Sequence, residues 1–450
     1  MLELQLFRTD KGGDPEKVRE SQRRRFKDVG LVDKVIELDE AHLKVRKEAD
    51  NLRKDMNEKS KMVGKLKKEK KDDEAQVIMD QVPAIKNEIK DKEEEAKRLI
   101  TMRDETIRMI GNLVPDSVPV SQDENENKVE RTWGEPGAAA GDGLNHVDLL
   151  HRIGGVEYER GVTAAGSRGY FLVGDGVLLN LALIHYGVHF LTTRGHIAVQ
   201  PPYFMERDAM AKCAQLDDFD EQLYKVSGDG GDKYLIATSE QPLCVYHMDE
   251  WIAVQSLPLK YVGVSTCFRK ETGSHGRDTL GIFRVHQFEK LEQFVVCSPE
   301  GDESWTIMDE MLGNAEEFYQ ALGIPYRVVN IVSGALNNAA AKKYDLEGWF
   351  PASTTYRELV SCSNCTDYQA RRLEVRYGQT KKQGDARESK FVHMLNSTLC
   401  ATTRVICAIL ENYQTSEGVR VPEVLQPYMG GKSFLPFVRD APLPPKPLRK

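Results

Sequence analysis

The sequence predicts an α+β protein, in which an N-terminal antiparallel α-helical coiled-coil arm precedes an antiparallel β-sheet domain flanked by helices. Two observations carry this prediction. Apolar residues recur every three or four positions from Leu31 to Leu113, with one polar interruption. From about Leu144 onward, strand-like apolar runs alternate with Gly and Pro, and three long ones follow one another with no helix expected between them. That succession favours an antiparallel sheet over alternating strands and helices.

The predicted arm consists of two apolar seams. One runs from Leu31 to Leu66 and the other from Ile78 to Leu113, with a period of about 3.5 residues that is typical of a coiled coil. The stretch between them, KLKKEKKDDEAQ, is short and polar, so the two helices are expected to fold back on each other. About 36 residues in each helix, at about 1.5 Å per residue, give an arm of roughly 50 Å. Pro83 is expected near the start of the second helix or at a kink.

Lysines crowd the predicted tip of this arm, at Lys65, Lys67, Lys68, Lys70 and Lys71. A run of charge is usually a solvated turn, but a basic tip also suits contact with phosphate groups. The periodicity of the arm leaves both interpretations open.

Proline and polar residues divide the rest of the chain. Pro115 and Pro119 stop the second helix, and the acidic, Asn-rich stretch after them is typical of a linker. The Pro-rich, basic segment after Gly430 is expected to be flexible. Four segments are therefore predicted: residues 1–115 as an N-terminal domain with the arm at about 31–113, 116–143 as a linker, 144–430 as the sheet domain, and 431–450 as a tail. Two strong helices are expected inside the sheet domain, at 180–195 and 392–414.

Composition narrows the class of protein. A chain of 450 residues exceeds one ordinary core, so two or three units are expected. No apolar run reaches the roughly 18 residues of a membrane span, and the first residues lack a secretory or transit pattern, so a cytoplasmic protein without a membrane partner is expected. The eight cysteines suit reduced thiols, because Cys362 and Cys365 lack a second compact pair for zinc. The net charge of −8 discourages nucleic-acid binding only as an average over the chain.

One predicted hairpin concentrates charged residues. The run YVGVSTCFRKETG ends in Arg269, Lys270 and Glu271, a Gly-rich loop covers 272–281, and the chain returns as IFRVHQFEKLEQF. Alternation along the return strand places five side chains on one face: Arg284, His286, Phe288, Lys290 and Glu292. Two arginines suit phosphate or carboxylate oxygens, and a phenylalanine suits a stacked base. Cross-strand ion pairs on an exposed sheet face are the alternative interpretation of the same residues.

A resemblance favours the first interpretation. FRKE at 268–271 with RVHQF at 284–288 resembles motif 2 of class II aminoacyl-tRNA synthetases, and RGHIAVQPPYF resembles motif 1, with Pro202 as its dimer-interface proline. Arg404 stands where motif 3 has its arginine, although NSTLCATTR replaces the usual Gly-rich signature. With the helical hairpin, TSE at 238–240 and ELVSCSNC from Glu358, the chain resembles the eukaryotic cytosolic seryl-tRNA synthetase family up to about Gly430.

The resemblance implies a reaction and its participants. It implies a class II catalytic domain that joins L-serine to ATP, releases pyrophosphate, and transfers serine from seryl-adenylate to the 3′ end of tRNA(Ser), in a family that commonly accepts tRNA(Sec) as well. ATP is then a substrate and Mg²⁺ a cofactor, and the protein is a homodimer. The arm would contact the long variable arm of the tRNA, which favours a function for the tip lysines.

The resemblance also assigns roles to residues. Arg269, Glu271 and Arg404 would be catalytic; Arg269 would hold the α-phosphate and the serine carboxylate, Arg284 the γ-phosphate, and Phe288 with Arg404 the adenine. The full ATP set is Arg269, Lys270, Glu271, Arg284, Val285, Phe288, Glu358, Ser361 and Arg404. The serine set is Thr238, Ser239, Glu240, Arg269, Glu292, Asn396 and Thr398. The Mg²⁺ ligands would be Glu358 and Ser361.

Three alternatives remain at this stage. A catalytically inactive relative that binds RNA or regulates would have no need for all of the charged residues at motifs 2 and 3. A class II enzyme for another small amino acid is disfavoured by the arm and by the lack of an added anticodon-binding domain. A structural coiled-coil protein with a globular cap leaves the charged hairpin unexplained.

Overall fold

The computed structural model describes residues 1–138, 143–214, 222–228, 230–271, 281–378 and 390–440. The chain divides into two compact units, Met1–Leu113 and Val114–Lys450. The first unit is helical, with α1 at Pro15–Arg24, α2 at Gly30–Lys68 and α3 at Asp72–Met109. The two long helices match the predicted arm.

Side-chain pairs between α2 and α3 show how the two helices run relative to each other. Asp39 meets Arg103, Glu48 meets Lys92 at 2.8 Å, and Lys59 Nζ donates to Gln81 Oε1 at 3.0 Å. Positions that rise along α2 meet positions that fall along α3, so the helices are antiparallel. Pro83 lies inside α3 rather than near its start. At the tip, α2 ends in a basic turn and α3 begins with three acidic residues, which is the arrangement that the helix dipoles favour.

A buried carboxylate ties the N-terminal segment to the base of the arm. Asp39 is 4% exposed. Its two oxygens accept hydrogen bonds from Arg8 at 2.6 and 2.8 Å and from Arg103 at 2.9 Å. Burial raises the pKa of Asp39, but the bonds from both guanidinium groups outweigh that effect and leave the pKa lowered. The carboxylate therefore stays charged at neutral pH.

The second unit is built on strands and shorter helices. Its strands are β1 Lys128–Trp133, β2 Val156–Glu157, β3 Phe171–Leu172, β4 Ile197–Val199, β5 Phe204–Glu206, β6 Lys225–Val226, β7 Lys233–Leu235, β8 Trp251–Ile252, β9 Leu259–Phe268, β10 Gln287–Cys297, β11 Tyr326–Asn330, β12 Lys342–Phe350, β13 Thr355–Asn364, β14 Arg376–Tyr377, β15 His393–Ala401, β16 Gly418–Arg420 and β17 Phe434–Pro436. Its helices are α4 His146–Arg152, α5 Tyr158–Ala165, α6 Asp175–Thr192, α7 Arg207–Cys213, α8 Glu240–Val245, α9 Glu303–Ala321, α10 Tyr368–Leu373 and α11 Thr402–Asn412.

Eight strands form the central sheet, in the order β1-β11-β12-β13-β15-β10-β9-β4. All neighbouring pairs are antiparallel except β4 with β9, which is parallel. Helices α6, α9 and α11 share one apolar core with the sheet, represented by Phe190, Phe318 and Ile406. The predicted α+β class is therefore confirmed. Among the described residues, we find no helix with the length and apolar character that crossing a membrane requires.

Bulges interrupt the regular alternation of β13 and β15, the two strands that carry Glu358 and Thr398. Between β12 and β13 the register shifts so that Leu359 is the extra residue, because Leu346 pairs with Val360 and Glu347 with Glu358. Between β10 and β15 Leu399 is the extra residue. A bulge inserts one residue into the alternation, so positions three apart on the bulged strand face the same side.

Several expectations about elements were wrong. The linker predicted at 116–143 contains β1, a strand of the central sheet, and helix α9 separates two of the three long strand runs that no helix was expected to divide. The helix predicted at 392–414 is strand β15 followed by α11. Strand β15 is buried on both faces, so its apolar pattern does not distinguish a strand from a buried helix.

The other predicted elements differ from the structure mainly in their bounds. Helix α6 begins five residues before the predicted 180–195 and ends at Thr192. The tail predicted at 431–450 includes β17, and its last ten positions, 441–450, lie outside the described residues. Of the predicted loop at 272–281, only Gly281 is described.

Candidate active site

A cleft opens on one face of the central sheet, where β9, β10, β13 and β15 meet the first turn of α11. Its walls are formed by Arg269, Glu271, Phe283, Arg284, Val285, Phe288, Lys290, Glu358, Leu359, Thr398, Ala401, Thr403 and Arg404. Eight of these thirteen belong to the sets predicted from the sequence. The chain thus gathers most of the predicted nucleotide residues in one place.

The hairpin of β9 and β10 positions the first group. Pairing continues beyond the strands, because Arg269 N donates to His286 O at 2.9 Å. The Arg269 side chain donates from Nε to Ala237 O at 3.3 Å, and its guanidinium carbon lies 5.4 Å from the centre of the Phe288 ring. Arg284 Nη1 lies 3.6 Å from Glu271 Oε2. A planar cation, a ring and an ion pair therefore share one wall of the cleft.

The predicted alternation fails at one position of this hairpin. Phe288 and Lys290 line the cleft together with Arg284, but His286 lines a different cavity, with Tyr224 at 6.1 Å between ring centres. Strand β10 begins only at Gln287, so regular alternation does not extend back to His286. Val285 lines the cleft beside Arg284 for the same reason.

A buried carboxylate lies deeper on the same face. Glu292 is 2% exposed; its Oε2 pairs with Lys290 Nζ at 2.6 Å and accepts a hydrogen bond from Thr398 Oγ1 at 3.2 Å. The bulge at Leu399 sets Thr398 opposite Glu292. Asn396 lies two positions before Thr398, so it faces the same side, and its Nδ2 lies 3.7 Å from Cys365 Sγ.

The TSE segment approaches this carboxylate across Gly263. Gly263 pairs with Glu292, and a Cβ on Gly263 would lie only 2.4 Å from Ser239 Oγ, so the glycine leaves room for the segment. Ser239 is fully buried, and within the described residues its hydroxyl has no hydrogen-bond partner. The Ser239 side chain therefore packs on β9. The two outer residues of the segment, Thr238 and Glu240, instead make side-chain hydrogen bonds.

Thr238 and Glu240 form the start of α8. Thr238 Oγ1 accepts from Glu240 N at 3.2 Å, and Glu240 Oε1 accepts from Gln369 Nε2 at 3.0 Å. Burial raises the pKa of Glu240, and the negative charge of Glu292 raises it further. The negative charge of Glu292 therefore adds to burial in disfavouring ionisation of Glu240.

The third group joins β13 to α11. Arg404 lies in the first turn of α11; its Nη1 donates to Glu358 O at 2.9 Å and lies 3.5 Å from Glu358 Oε1. The bulge at Leu359 puts Glu358 and Ser361 on one face of β13, although they are three positions apart. Desolvation opposes ionisation of Glu358, but the charges of Arg404 and other nearby cations lower its pKa. The carboxylate is therefore charged and available to a cation.

Sequence reasoning missed some residues of the cleft. Lys290 was expected on this face but received no role, and Phe283, Leu359, Ala401 and Thr403 were not singled out at all. Phe283 directly precedes Arg284, but it comes before the strand, where alternation gives no indication of its direction. Three cations of the site are already paired with carboxylates, as Arg284–Glu271, Lys290–Glu292 and Arg404–Glu358. The charges are thus held in place before any ligand arrives.

Family models match both units of the chain. The model of the seryl-tRNA synthetase N-terminal domain matches residues 1–114, and the class II tRNA synthetase core domain for G, H, P, S and T matches residues 224–413. The second match contains the hairpin, the TSE segment and the first turn of α11.

Full-length relatives are similar over nearly the whole chain. A cytoplasmic serine–tRNA ligase of Arabidopsis thaliana is 57% identical over 442 residues, covering 97% of this chain and 96% of the relative. A human cytoplasmic serine–tRNA ligase is 51% identical over 486 residues, covering 100% of this chain and 94% of the relative.

Solved structures that resemble this chain belong to the same family as these relatives. The crystal structure of a cytoplasmic serine–tRNA ligase from Naegleria fowleri in complex with AMP has a TM-score of 0.89 and 51% identity, and covers 98% of this chain and 99% of its own. A seryl-tRNA synthetase from Pyrococcus horikoshii complexed with ATP has a TM-score of 0.88 and 40% identity, with 97% and 100% covered. The chain belongs to the seryl-tRNA synthetase family of class II aminoacyl-tRNA synthetases.

Proposed function

We propose that this chain is a cytoplasmic serine–tRNA ligase, which activates L-serine with ATP and transfers the seryl group to tRNA(Ser). One observation carries the proposal: a hairpin and a helix start bring three arginines and a phenylalanine to one cleft, directly beside a buried carboxylate. That arrangement suits a triphosphate next to a small polar amino acid. An inactive relative is not favoured, because it would have no need for all three arginines and Phe288 in one cleft.

The nucleotide would occupy the wall formed by the hairpin and α11. Phe288 and Arg404 hold the adenine by stacking and cation–π contact, while Arg284 exchanges its Glu271 partner for the γ-phosphate. Lys270, Glu271 and Val285 complete the ATP set from the same hairpin. Arg269 lies between the adenine and serine subsites, so its fork serves the α-phosphate and the serine carboxylate.

Serine would bind between the two carboxylates. Its ammonium group suits Glu240 and Thr238, and its hydroxyl suits Glu292, with Asn396 and Thr398 on the far side. Serine offers little apolar area, so the hydroxyl must be recognised by hydrogen bonds; a site built in this way rejects the analogue that lacks the hydroxyl by roughly 10⁴ or more. Alanine is thus excluded because it offers Glu292 no hydroxyl donor, and threonine by its added methyl group.

The first step forms a bond between a serine carboxylate oxygen and the α-phosphorus, while the bond from that phosphorus to the β-phosphate bridging oxygen breaks. Pyrophosphate leaves, and negative charge grows on the α-phosphate oxygens in the transition state. Arg269 is fixed by Ala237 O and Phe288, so it meets that charge without reorganisation. In the second step the terminal tRNA hydroxyl attacks the seryl carbonyl, and AMP leaves.

Glu358 and Ser361 would hold Mg²⁺. Both offer oxygen, the donor that Mg²⁺ prefers, and the bulge at Leu359 gives them a common face. The lowered pKa of Glu358 suits a carboxylate that binds a cation. Mg²⁺ bound there would supply positive charge beside the phosphates of ATP.

A homodimer is proposed from the exposed surface of α6, β4 and β5. Large apolar side chains there are exposed to solvent: Val177, Leu178, Leu181, Ile197 and Phe204. Strand β4 is an end strand of the central sheet. Such a patch on one edge suits a self-complementary interface with a second copy. Pro202 follows β4 and is exposed as well.

The arm would serve tRNA through its shape and its basic tip. All five tip lysines are exposed, and Lys70 has a φ of 60° where the chain leaves α2. Contacts to phosphates position a nucleic acid without reading bases, which suits recognition of a long variable arm.

Replacing Glu292 with alanine should abolish serine activation, because it removes the carboxylate proposed to accept a hydrogen bond from the serine hydroxyl. Serine-dependent ATP–pyrophosphate exchange should fall by about 10³- to 10⁴-fold in kcat/KM. Glu289→Ala is the control, since Glu289 lies on the same strand but lines the other cavity. ATP binding measured by calorimetry should persist in both variants. Near-normal exchange in Glu292→Ala would refute the assignment.

Serine binding should weaken as the pH falls from neutrality towards the ordinary carboxyl range of about 4. The raised pKa of Glu240 keeps part of this group protonated in mildly acidic solution, and only the ionised form attracts the serine ammonium group. The KM for serine should therefore rise on acidification in the unmodified enzyme, whereas Glu240→Gln should bind serine weakly with a flat profile. A variant that keeps the full pH dependence would assign it to another group.

Changing the five tip lysines to alanine should raise the KM for tRNA and leave ATP–pyrophosphate exchange unchanged. Each lost phosphate contact should also lower the slope of log KM against log salt by about 0.7 to 0.9. A control with Lys27, Lys34, Lys44 and Lys47 changed to alanine removes exposed charge nearer the base. If both sets reduce tRNA affinity and salt slope equally, the tip has no special role.

Ile197→Asp should convert the homodimer to a monomer in sedimentation velocity, because it places a charge in the proposed interface. Val129→Asp is the control, since Val129 is also exposed but lies on β1 at the opposite end of the sheet. Dimers that survive Ile197→Asp, or a monomeric unmodified enzyme, would contradict the proposal.

A further inference from the structure

Three aromatic rings pack behind the nucleotide wall of the cleft. The Phe283 and Phe350 rings meet edge to face at 5.5 Å, and the His146 ring lies 6.1 Å from Phe283 and 6.4 Å from Phe350. Phe283 is 5% exposed and is the ring of this group that reaches the cleft.

This group of rings is fixed by a buried carboxylate on the helix that carries Arg404. Glu411, 2% exposed, accepts from His146 N at 3.1 Å, lies 2.8 Å from His146 Nδ1, and accepts from Ala352 N at 3.1 Å. Gly281, with φ of 71°, brings the chain against α4 so closely that a Cβ would lie 2.8 Å from Val147. The chain before Phe283 and the His146 ring beside it are therefore held in place, which restricts the Phe283 ring.

The guanidinium group of Arg404 lies over the Phe283 ring, 5.0 Å from its centre. Its Nη1 also donates to Glu358 O, so a ring and a hydrogen bond both engage the group. An arginine side chain loses considerable rotamer freedom when it binds a ligand. One that already lies over a ring and donates a hydrogen bond loses less on binding, and so contributes more to affinity.

We propose that Phe283 is a positioning residue for the nucleotide: its ring holds Arg404 in the orientation that meets adenine. The proposal rests on the proposed function, since it requires ATP against Arg404. Phe283 does not need to touch the nucleotide itself; it acts through the guanidinium group of Arg404. The prediction is an effect on nucleotide affinity that depends on Arg404 and leaves serine affinity unchanged.

The test measures ATP dissociation constants by calorimetry without serine, so that no reaction occurs. Phe283→Leu removes the ring but keeps an apolar side chain, and should weaken ATP binding roughly three- to thirtyfold, the range that a cation–π contact supports. Phe318→Leu is the matched control, since Phe318 is fully buried in the same core but stacks on Tyr186 at 5.2 Å, away from Arg404. It should lower the unfolding temperature similarly and leave ATP affinity within about twofold. Phe283→Met serves as a second ring-free variant if the leucine variant does not fold.

A double-mutant cycle with Arg404→Ala decides how Phe283 acts. If Phe283 works through Arg404, its substitution should change ATP affinity less than about twofold in the Arg404→Ala background. Equal weakening in both backgrounds, an equal effect of Phe318→Leu, or a parallel rise in the KM for serine would overturn the inference. Failure of the unmodified enzyme to activate serine would instead overturn the proposed function, so the two failures are distinguishable.

Discussion

The pairing register of the central sheet is the constraint on which the site depends. Strand β10 pairs with β9 on one side and β15 on the other, and β13 continues the ladder. Directly paired residues project to the same face, so Glu292, Thr398 and Gly263 share a face. Without the bulges at Leu399 and Leu359, Ala401 and Glu358 would turn to the opposite side of the sheet. Two extra residues thus decide whether the cleft has its carboxylate and arginine partners.

This register places charged side chains in a buried part of the cleft, where their removal from water costs free energy. Lys290 and Glu292 have side chains 8% and 2% exposed, and desolvation of such a pair often equals or exceeds its Coulomb attraction. The pair is therefore not explained by stability. In the proposed function its value lies in binding, because the charges would already be oriented when serine arrives, and a low-dielectric setting would strengthen their interaction with that ligand. Glu240 near Glu292 carries the same cost in the form of a raised pKa.

The sequence predicted the features that are local and periodic, and it missed those set by neighbours in space. Two features were predictable, the seams of α2 and α3 and the β9–β10 hairpin, because the residues that define each of them lie close together in the sequence. Strand β15 was mistaken for helix because both of its faces are buried, and β1 was hidden in a polar segment because it is a mostly exposed end strand. The bulges leave no mark in composition, so the common face of Glu358 and Ser361 followed only from the family resemblance. The place of Phe283 in the cleft could not be predicted from the sequence, because the direction of its side chain depends on Gly281 and α4 and not on strand alternation.

The arm differs from the cleft in how little of its outer half is buried. On α2 the fully buried residues end at Ala49, and beyond that point the seam residues Leu52, Met56 and Val63 are only half-buried. The helices are linked there by exposed pairs such as Arg53 with Glu93, which contribute little in water. The outer half of the arm is therefore the part with the least burial to hold it, and it should open more readily than the base. In the proposed function, an arm that contacts the phosphates of tRNA would tolerate such adjustment, whereas a cleft that distinguishes serine from alanine by one hydroxyl would not.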